Sequence, residues 1–343
     1  MAGRTGGWPM IDRRRFFGAA AGGAAVGLAG PALAQAGAPD FTAAEAALAE
    51  FAALDGMTGY VVDVGGDNPW RAEHQPDAPL FVGSAIKTFI LTRFLKDVEE
   101  GRLDLDDQLA VDDGVRSLSS PVFLNLTGTT PGRSVLEAMI THSDNTATDI
   151  AMAAVGVDRV RAFAAEAGLA TARIPTSTRV LFSYLAGAEP GVDIGWEGMR
   201  GIADDVLPGA ARNAMDPDAA ESMLCSAADL VSYYRRAVAG EFFSTPAMLT
   251  EFLRVSAMAN AMPLVVPHYV AAYGKGGSIE WNNFNALCVP GEMWVRASIP
   301  VTFCFTLNWN GDPSTIPGMA QAFVAAAGGV LSAINTALAE PPS

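Results

Sequence analysis

Val82-Gly83-Ser84-Ala85-Ile86-Lys87-Thr88-Phe89 is the stretch on which the reading of this chain turns. Pro79 to Val82 has the character of a short strand ending at Gly83, and an amphipathic helix is predicted to start at the serine. Ile86, Phe89, Ile90, Phe94, Leu95 and Val98 recur at spacings of three and four, the period of one buried helix face. Ser84 and Lys87 are three apart, so a helix sets both on the same side. An amine held there can take the serine proton once burial or nearby positive potential lowers its pKa. The helix N-terminus beside Ser84 favours developing negative charge. Taken alone, the same spacing also describes an ordinary solvated helix start, and the rest of the chain has to separate the two.

With 343 residues and 50% hydrophobic content, the chain is long enough for one large core or two moderate ones. A net charge of -15 opposes binding to a phosphate backbone, so nucleic acid is not an expected partner. Residues 1–36 read as an address. Arg13-Arg14-Arg15-Phe16-Phe17 precedes a small, apolar, glycine-broken run that leads to Ala32-Leu33-Ala34-Gln35-Ala36. Positive flank, weakly apolar middle and A-x-A exit make a secretory signal, and the paired arginines are of the twin-arginine type. The expectation is a periplasmic or secreted protein with no stable membrane insertion after cleavage, its mature domain spanning residues 37–343. Cys225, Cys288 and Cys304 are the three cysteines, with no C-x-x-C pair. Cys288 and Cys304 sit in apolar runs and read as buried thiols, with a disulfide between them left open.

Along the mature chain, Phe41 to Leu54 is predicted helical, and Gly59–Val64 and Trp70–His74 are predicted strands. Helices follow over 84–100, 134–139, 146–155, 157–168 and 226–239. Between Ala170 and Met223 the pattern is irregular and rich in Pro and Gly, as in a functional loop or insertion. Strands are expected over 269–273, 284–289 and 301–308, with Pro290-Gly291-Glu292 as a break, and a helix over 319–338 closes the chain. The implied class is α/β (α+β): a sheet assembled from both chain ends, flanking helices, and a helical subdomain inserted at roughly 85–240.

Three motifs stand in chain order: Ser84-x-x-Lys87, Ser143-Asp144-Asn145 and Lys275-Gly276-Gly277. In this the chain resembles the class A β-lactamases and penicillin-binding proteins, whose signature is S-x-x-K, S-D-N and K-T-G. The similarity extends over roughly 41–338, and it implies a β-lactamase/transpeptidase-like fold with an antiparallel sheet. It further implies Ser84 as nucleophile, Lys87 as acylation base and Ser143 as proton relay to the leaving nitrogen. Asn145 and Lys275 would bind the substrate, and Gly277 and Ser278 would line the strand beside it. Backbone N–H groups of Ser84 and Ser278 would hold the oxyanion. The substrate would be a small molecule, a β-lactam, peptide or ester, handled by a monomer without metal or other cofactor. β-Lactam hydrolysis is the leading expectation; a peptidase or esterase on the same fold, or a protein acylated once as a sensor, are the alternatives. His74, His142 and His268 are scattered, and His142 reads as a helix-packing residue.

The chain departs from that pattern in three places. Hydrolysing members carry a glutamate, with an asparagine four residues on, in the loop after the S-D-N helices. Matching Pro190-Gly191 puts Phe182 and Ala186 at those positions, and Glu189 and Glu197 are the candidate substitutes. The third motif has Gly276 where a hydroxyl is usual, and no arginine follows on the next strand, leaving Arg296 as a candidate.

Overall fold

The protein is described by a computed structural model over residues 38–215 and 221–339. The predicted leader and its cleavage site lie outside the described residues. The described residues make one compact unit. It opens with α1 (Thr42–Ala52), β1 (Met57–Val64), β2 (Trp70–His74) and β3 (Leu80–Phe81), followed by a 3-10 turn, Gly83–Ile86. The middle holds α2 (Lys87–Glu99), β4 (Gln108–Val111), β5 (Gly128–Pro131), α3 (Gly132–Thr141), α4 (Asn145–Val155) and α5 (Val157–Glu166). It continues with α6 (Thr178–Leu185), α7 (Gly195–Ala203), β6 (Leu224–Cys225), α8 (Ala227–Val238), α9 (Pro246–Ser256) and α10 (Met262–Val265). The chain closes with β7 (Ala271–Gly274), β8 (Gly277–Trp281), β9 (Phe284–Val295), β10 (Ile299–Asn310) and α11 (Ile316–Ala339).

The main sheet is antiparallel in the order β2-β1-β10-β9-β7, with β8 also paired to β9. Its strands come from both ends of the described chain, as expected, and α2 to α10 intervene between them. Side chains alternate across a strand. On β10, Phe303 and Phe305 turn to one face, where Phe305 meets Phe51 of α1, and Phe51 in turn meets Phe323 of α11. Cys304, one residue out of phase, lies toward Tyr234 of α8 on the other face. The sheet is thus covered on both sides, and β1, β9 and β10 are buried almost throughout. α11 is long and apolar enough to cross a membrane by length and composition, but it places Phe323, Ala327, Val330, Leu331 and Ile334 in the core.

Three sequence expectations change. The 170–223 stretch contains two helices, α6 and α7, which share a small apolar core of Ala186, Met199 and Ile202. They are short, and Pro and Gly flank them, so their period is hard to read. Pro290-Gly291-Glu292 is no break, because β9 runs through it as one 12-residue strand. Pro290 stands opposite Lys275, at the gap between β7 and β8. Proline has no N–H to donate, so the ladder lapses there, leaving Lys275 N bonded to Pro290 O at 3.3 Å. Third, the first turn after Gly83 is 3-10 rather than α-helical.

Candidate active site

Each motif reaches the site on a different kind of element. Ser84 lies in the 3-10 turn and Lys87 at the first residue of α2. With three residues per turn, positions i and i+3 eclipse, so the 3-10 geometry aligns Ser84 over Lys87 more closely than an α-helix would. Ser143 holds a left-handed backbone, φ 57°, between α3 and α4. A non-glycine residue there is uncommon and is kept in place by its surroundings. The following aspartate supplies them. Asp144 is fully buried, caps α4 at Ala147 N, and accepts from the N–H groups of Val122 and Phe123. The S-D-N aspartate is therefore an N-cap and loop anchor, which fixes the turn presenting Ser143. Lys275 enters from the gap between β7 and β8.

The two lysines meet at Ser143. Lys87 Nζ donates to Ser143 O at 2.6 Å and Asn145 Oδ1 at 2.7 Å, and lies 3.3 Å from Ser143 Oγ. Lys275 Nζ lies 3.1 Å from the same Oγ and donates to Gly276 O at 2.6 Å. Both amine sites are buried, at 0% and 1% exposure, without a carboxylate in direct contact among the described residues. Burial of an amine without a counter-ion disfavours its charged form. Lys87 is accordingly held well below the usual lysine range, first by burial and then by the Lys275 charge, with Asp144 and Asp149 pulling the other way. Lys275 is pushed down by burial to about 7. A neutral Lys87 spends its two N–H groups on Ser143 O and Asn145 Oδ1, which leaves its lone pair for a proton.

The pH dependence follows. As pH rises through about 7, Lys275 loses the charge that keeps Ser143 electropositive, so acylation of Ser84 is expected to fall along an alkaline limb centred there. The kcat/KM–pH profile checks this, and Lys275→Arg, which keeps its charge, should lack the limb. A limb surviving in that variant would place the titration elsewhere. Stability carries the opposite sign. Unfolded lysine holds its proton to about 10.4. Folded Lys275 releases it at about 7, so between these values the unfolded chain binds more protons and this group's contribution grows with pH.

Asn145 is placed differently from the expectation of a free substrate-binding amide. Its Oδ1 accepts from Lys87 and its Nδ2 donates to Leu118 O at 2.9 Å. Both ends of the side chain have a partner, and one of them is the Lys87 amine. Ser84 is half-buried and makes no side-chain hydrogen bond among the described residues. β8 closes on the 3-10 turn without room for side chains. A methyl on Gly277 would lie 2.0 Å from Val82 O and 2.8 Å from Ser84 N, and one on Gly83 would lie 2.9 Å from Ser278 N. The two backbone nitrogens expected to hold an oxyanion thus belong to a 3-10 turn and a strand in direct contact.

The loop candidates do not fill the glutamate position. Glu197 is 82% exposed and pairs with Arg200, and Glu189 is exposed. Phe182 instead rests against the Trp281 ring at 6.3 Å, on the apolar cluster that also includes Leu118. Arg296 sits in the β9–β10 turn, where its guanidinium donates to Ala339 O. His142 is exposed at the end of α3 rather than packed. Cys288 and Cys304 are free thiols with sulfurs 4.0 Å apart.

One participant was missed. Asp149 is buried, its carboxyl pushed up to about 6 by burial, and it accepts from Thr178 N, Thr178 Oγ1 and Arg179 N. It ties α4 to the start of α6, while Arg179 Nε donates to both Asp193 oxygens at 3.0 and 3.1 Å and closes the loop base. Its signal was available, since Asp149 is four residues after Asn145 and shares its helix face.

Comparison with known proteins agrees with this arrangement. No curated protein sequence matches the chain. Among solved structures, a beta-lactamase from Sphaerobacter thermophilus superposes with TM-score 0.66 at 19% identity, over 89% of this chain and 100% of that one. A beta lactamase from Xanthomonas campestris pv. campestris gives 0.65 at 17%, over 87% and 100%. PBP-A gives 0.63 at 16%, over 88% and 99%. A variant of PBP-A is known as an acyl-enzyme complex with penicillin-G. These identities speak to the fold, a β-lactamase/transpeptidase one. The family model for the Beta-lactamase enzyme family matches residues 43–286, and with the three motifs brought to one site by that fold, the chain belongs to this family.

Proposed function

We propose that this chain is an exported hydrolase that forms an acyl-enzyme at Ser84 with small amides or esters, β-lactams among them. The supporting observation is the Lys87–Ser143–Lys275 cluster, two buried amines converging on one hydroxyl. In this reading Ser84 Oγ attacks the carbonyl carbon and its proton passes to the Lys87 lone pair. The N–H groups of Ser84 and Ser278 take up the oxyanion. When the tetrahedral species collapses, the C–N or C–O bond breaks and the leaving atom receives a proton through Ser143 Oγ, which Lys87 resupplies. Water then releases the acid and restores Ser84.

The release step is where a second reading gains support. Phe182 offers an aromatic ring where hydrolysing relatives hold a water with a carboxylate, and Glu189 and Glu197 face solvent. A long-lived adduct, as in an acylated binding protein, is the corresponding alternative.

Intact-protein mass spectrometry tests both. A β-lactam such as penicillin G, a D-Ala-D-Ala peptide and a simple ester are each incubated with the protein, with Ser84→Ala as control. The expected result is one covalent equivalent on Ser84 that decays with time. An adduct that persists for hours supports the binder, and absence of any Ser84 adduct with all three substrates removes the acyl-transfer reading.

A further inference from the structure

A cavity of about 470 Å³ adjoins Ser143 and Lys275. Its size is within the range of about 300–1,000 Å³ usual for small-molecule sites. Ser84 is not on its wall, whereas Ser143 is. In the reaction above, Ser143 protonates the leaving atom, so space reached past Ser143 and away from Ser84 is space for the leaving side of the substrate.

The wall chemistry is one-sided. Asn260, Leu264 and Ser278 stand at the exposed rim, while Val265, Phe323 and Val324 form the apolar interior against β9. Among the described residues no carboxylate lines it, and Lys275 is its one charged residue. That amine is 1% exposed and already shared between Ser143 Oγ and Gly276 O. A second polar group beside it is blocked, because any side chain on Gly276 would begin 2.5 Å from the Ala261 methyl. The other candidate cation, Arg296, is bound to Ala339 O. A carboxylate entering this space would lose its hydration and gain no free cation in return. The overall charge of -15 also opposes an anionic substrate.

We infer that this cavity receives the leaving-side substituent and that the substituent is uncharged and apolar, so the substrate class is esters or amides of hydrocarbon alcohols or amines. The inference rests on the acyl-transfer reading. It sets this chain apart from catalysts that recognise a carboxylate next to the bond they break.

The test compares two esters with the same acyl group and equal leaving-chain length, butyl phenylacetate and the phenylacetyl ester of γ-hydroxybutyrate. Ser84 labelling and alcohol release are both followed. The butyl ester is expected to react about tenfold faster or more, the scale on which an apolar pocket discriminates. Two rim variants locate the effect, at residues exposed enough to leave the fold intact. Leu264→Asp should slow the butyl ester, and Asn260→Arg should speed the carboxylate ester, each narrowing the ratio. Equal rates, or a faster carboxylate ester, with Ser84 labelled by both, would overturn the inference and leave acyl transfer standing. A preference for the butyl ester that neither variant changes would overturn the assignment to this cavity. If neither ester nor any β-lactam labels Ser84, the acyl-transfer reading falls and takes this inference with it.

Discussion

Lys87→Ala is expected to slow acylation of Ser84 by roughly 10²–10⁴, the usual contribution of a positioned general base. The residue is fully buried and its amine is bonded to Ser143 O and Asn145 Oδ1. An amine kept there as a free base is matched to proton transfer, whereas an exposed lysine would be protonated at neutral pH. Substitution also leaves two buried acceptors without their donor, which costs about 1–3 kcal/mol each. Against this, the penalty for burying a potential charge disappears, so the net change in stability is smaller than the change in rate. Single-turnover labelling measured beside a urea melt separates the two. A variant that is folded and still acylates at the wild-type rate would show that another group activates Ser84. The unfolded lysine holds its proton to higher pH than the folded one, so wild-type stability rises with pH through this group, and the variant should lose that slope.

The second large effect is expected at Gly277, which carries no side chain to contribute chemistry. Gly277→Ala places a methyl group 2.0 Å from Val82 O, 2.6 Å from Ala85 N and 2.8 Å from Ser84 N. All three are backbone atoms, so the clash cannot be relieved by rotating a side chain. β8 has to move away from the 3-10 turn, and this carries Ser278 N away from Ser84 N. Loss of one oxyanion donor typically costs 10²–10³ in rate, so acylation should fall by roughly that factor. Overpacking itself should cost about 1–3 kcal/mol. The signature is a rate loss that persists at temperatures where circular dichroism shows the variant fully folded. A folded Gly277→Ala protein with normal acylation would mean that Ser278 N takes no part in holding the oxyanion.

Local features of the sequence were read with good accuracy where one element decides them. The period of the apolar residues in α2, α8 and α11 set those helices, and motif spacing singled out Lys87, Ser143 and Lys275, which the fold brings together. Less was legible where partners far along the chain decide the outcome. β9 passes through Pro290 because the missing N–H faces the gap between β7 and β8, a fact about the neighbouring strand. Helices α6 and α7 owe their small core partly to Leu118 and Trp281, residues outside the loop. The two partners of Asn145, Lys87 and Leu118 O, lie 58 and 27 residues away along the chain and appear only on folding.

The sequence by itself determined the order of the three motifs and the sheet built from both chain ends. These depend on residue type and on spacing within single turns, which local backbone geometry enforces. Tertiary structure alone decided that Lys87 and Lys275 share one hydroxyl and are depressed in pKa. Desolvation depends on everything packed around an amine, and here that packing joins a turn, a helix cap and an edge strand from distant parts of the chain. The apolar cavity beside Ser143 was likewise invisible before folding, since its wall combines α10, β9 and α11.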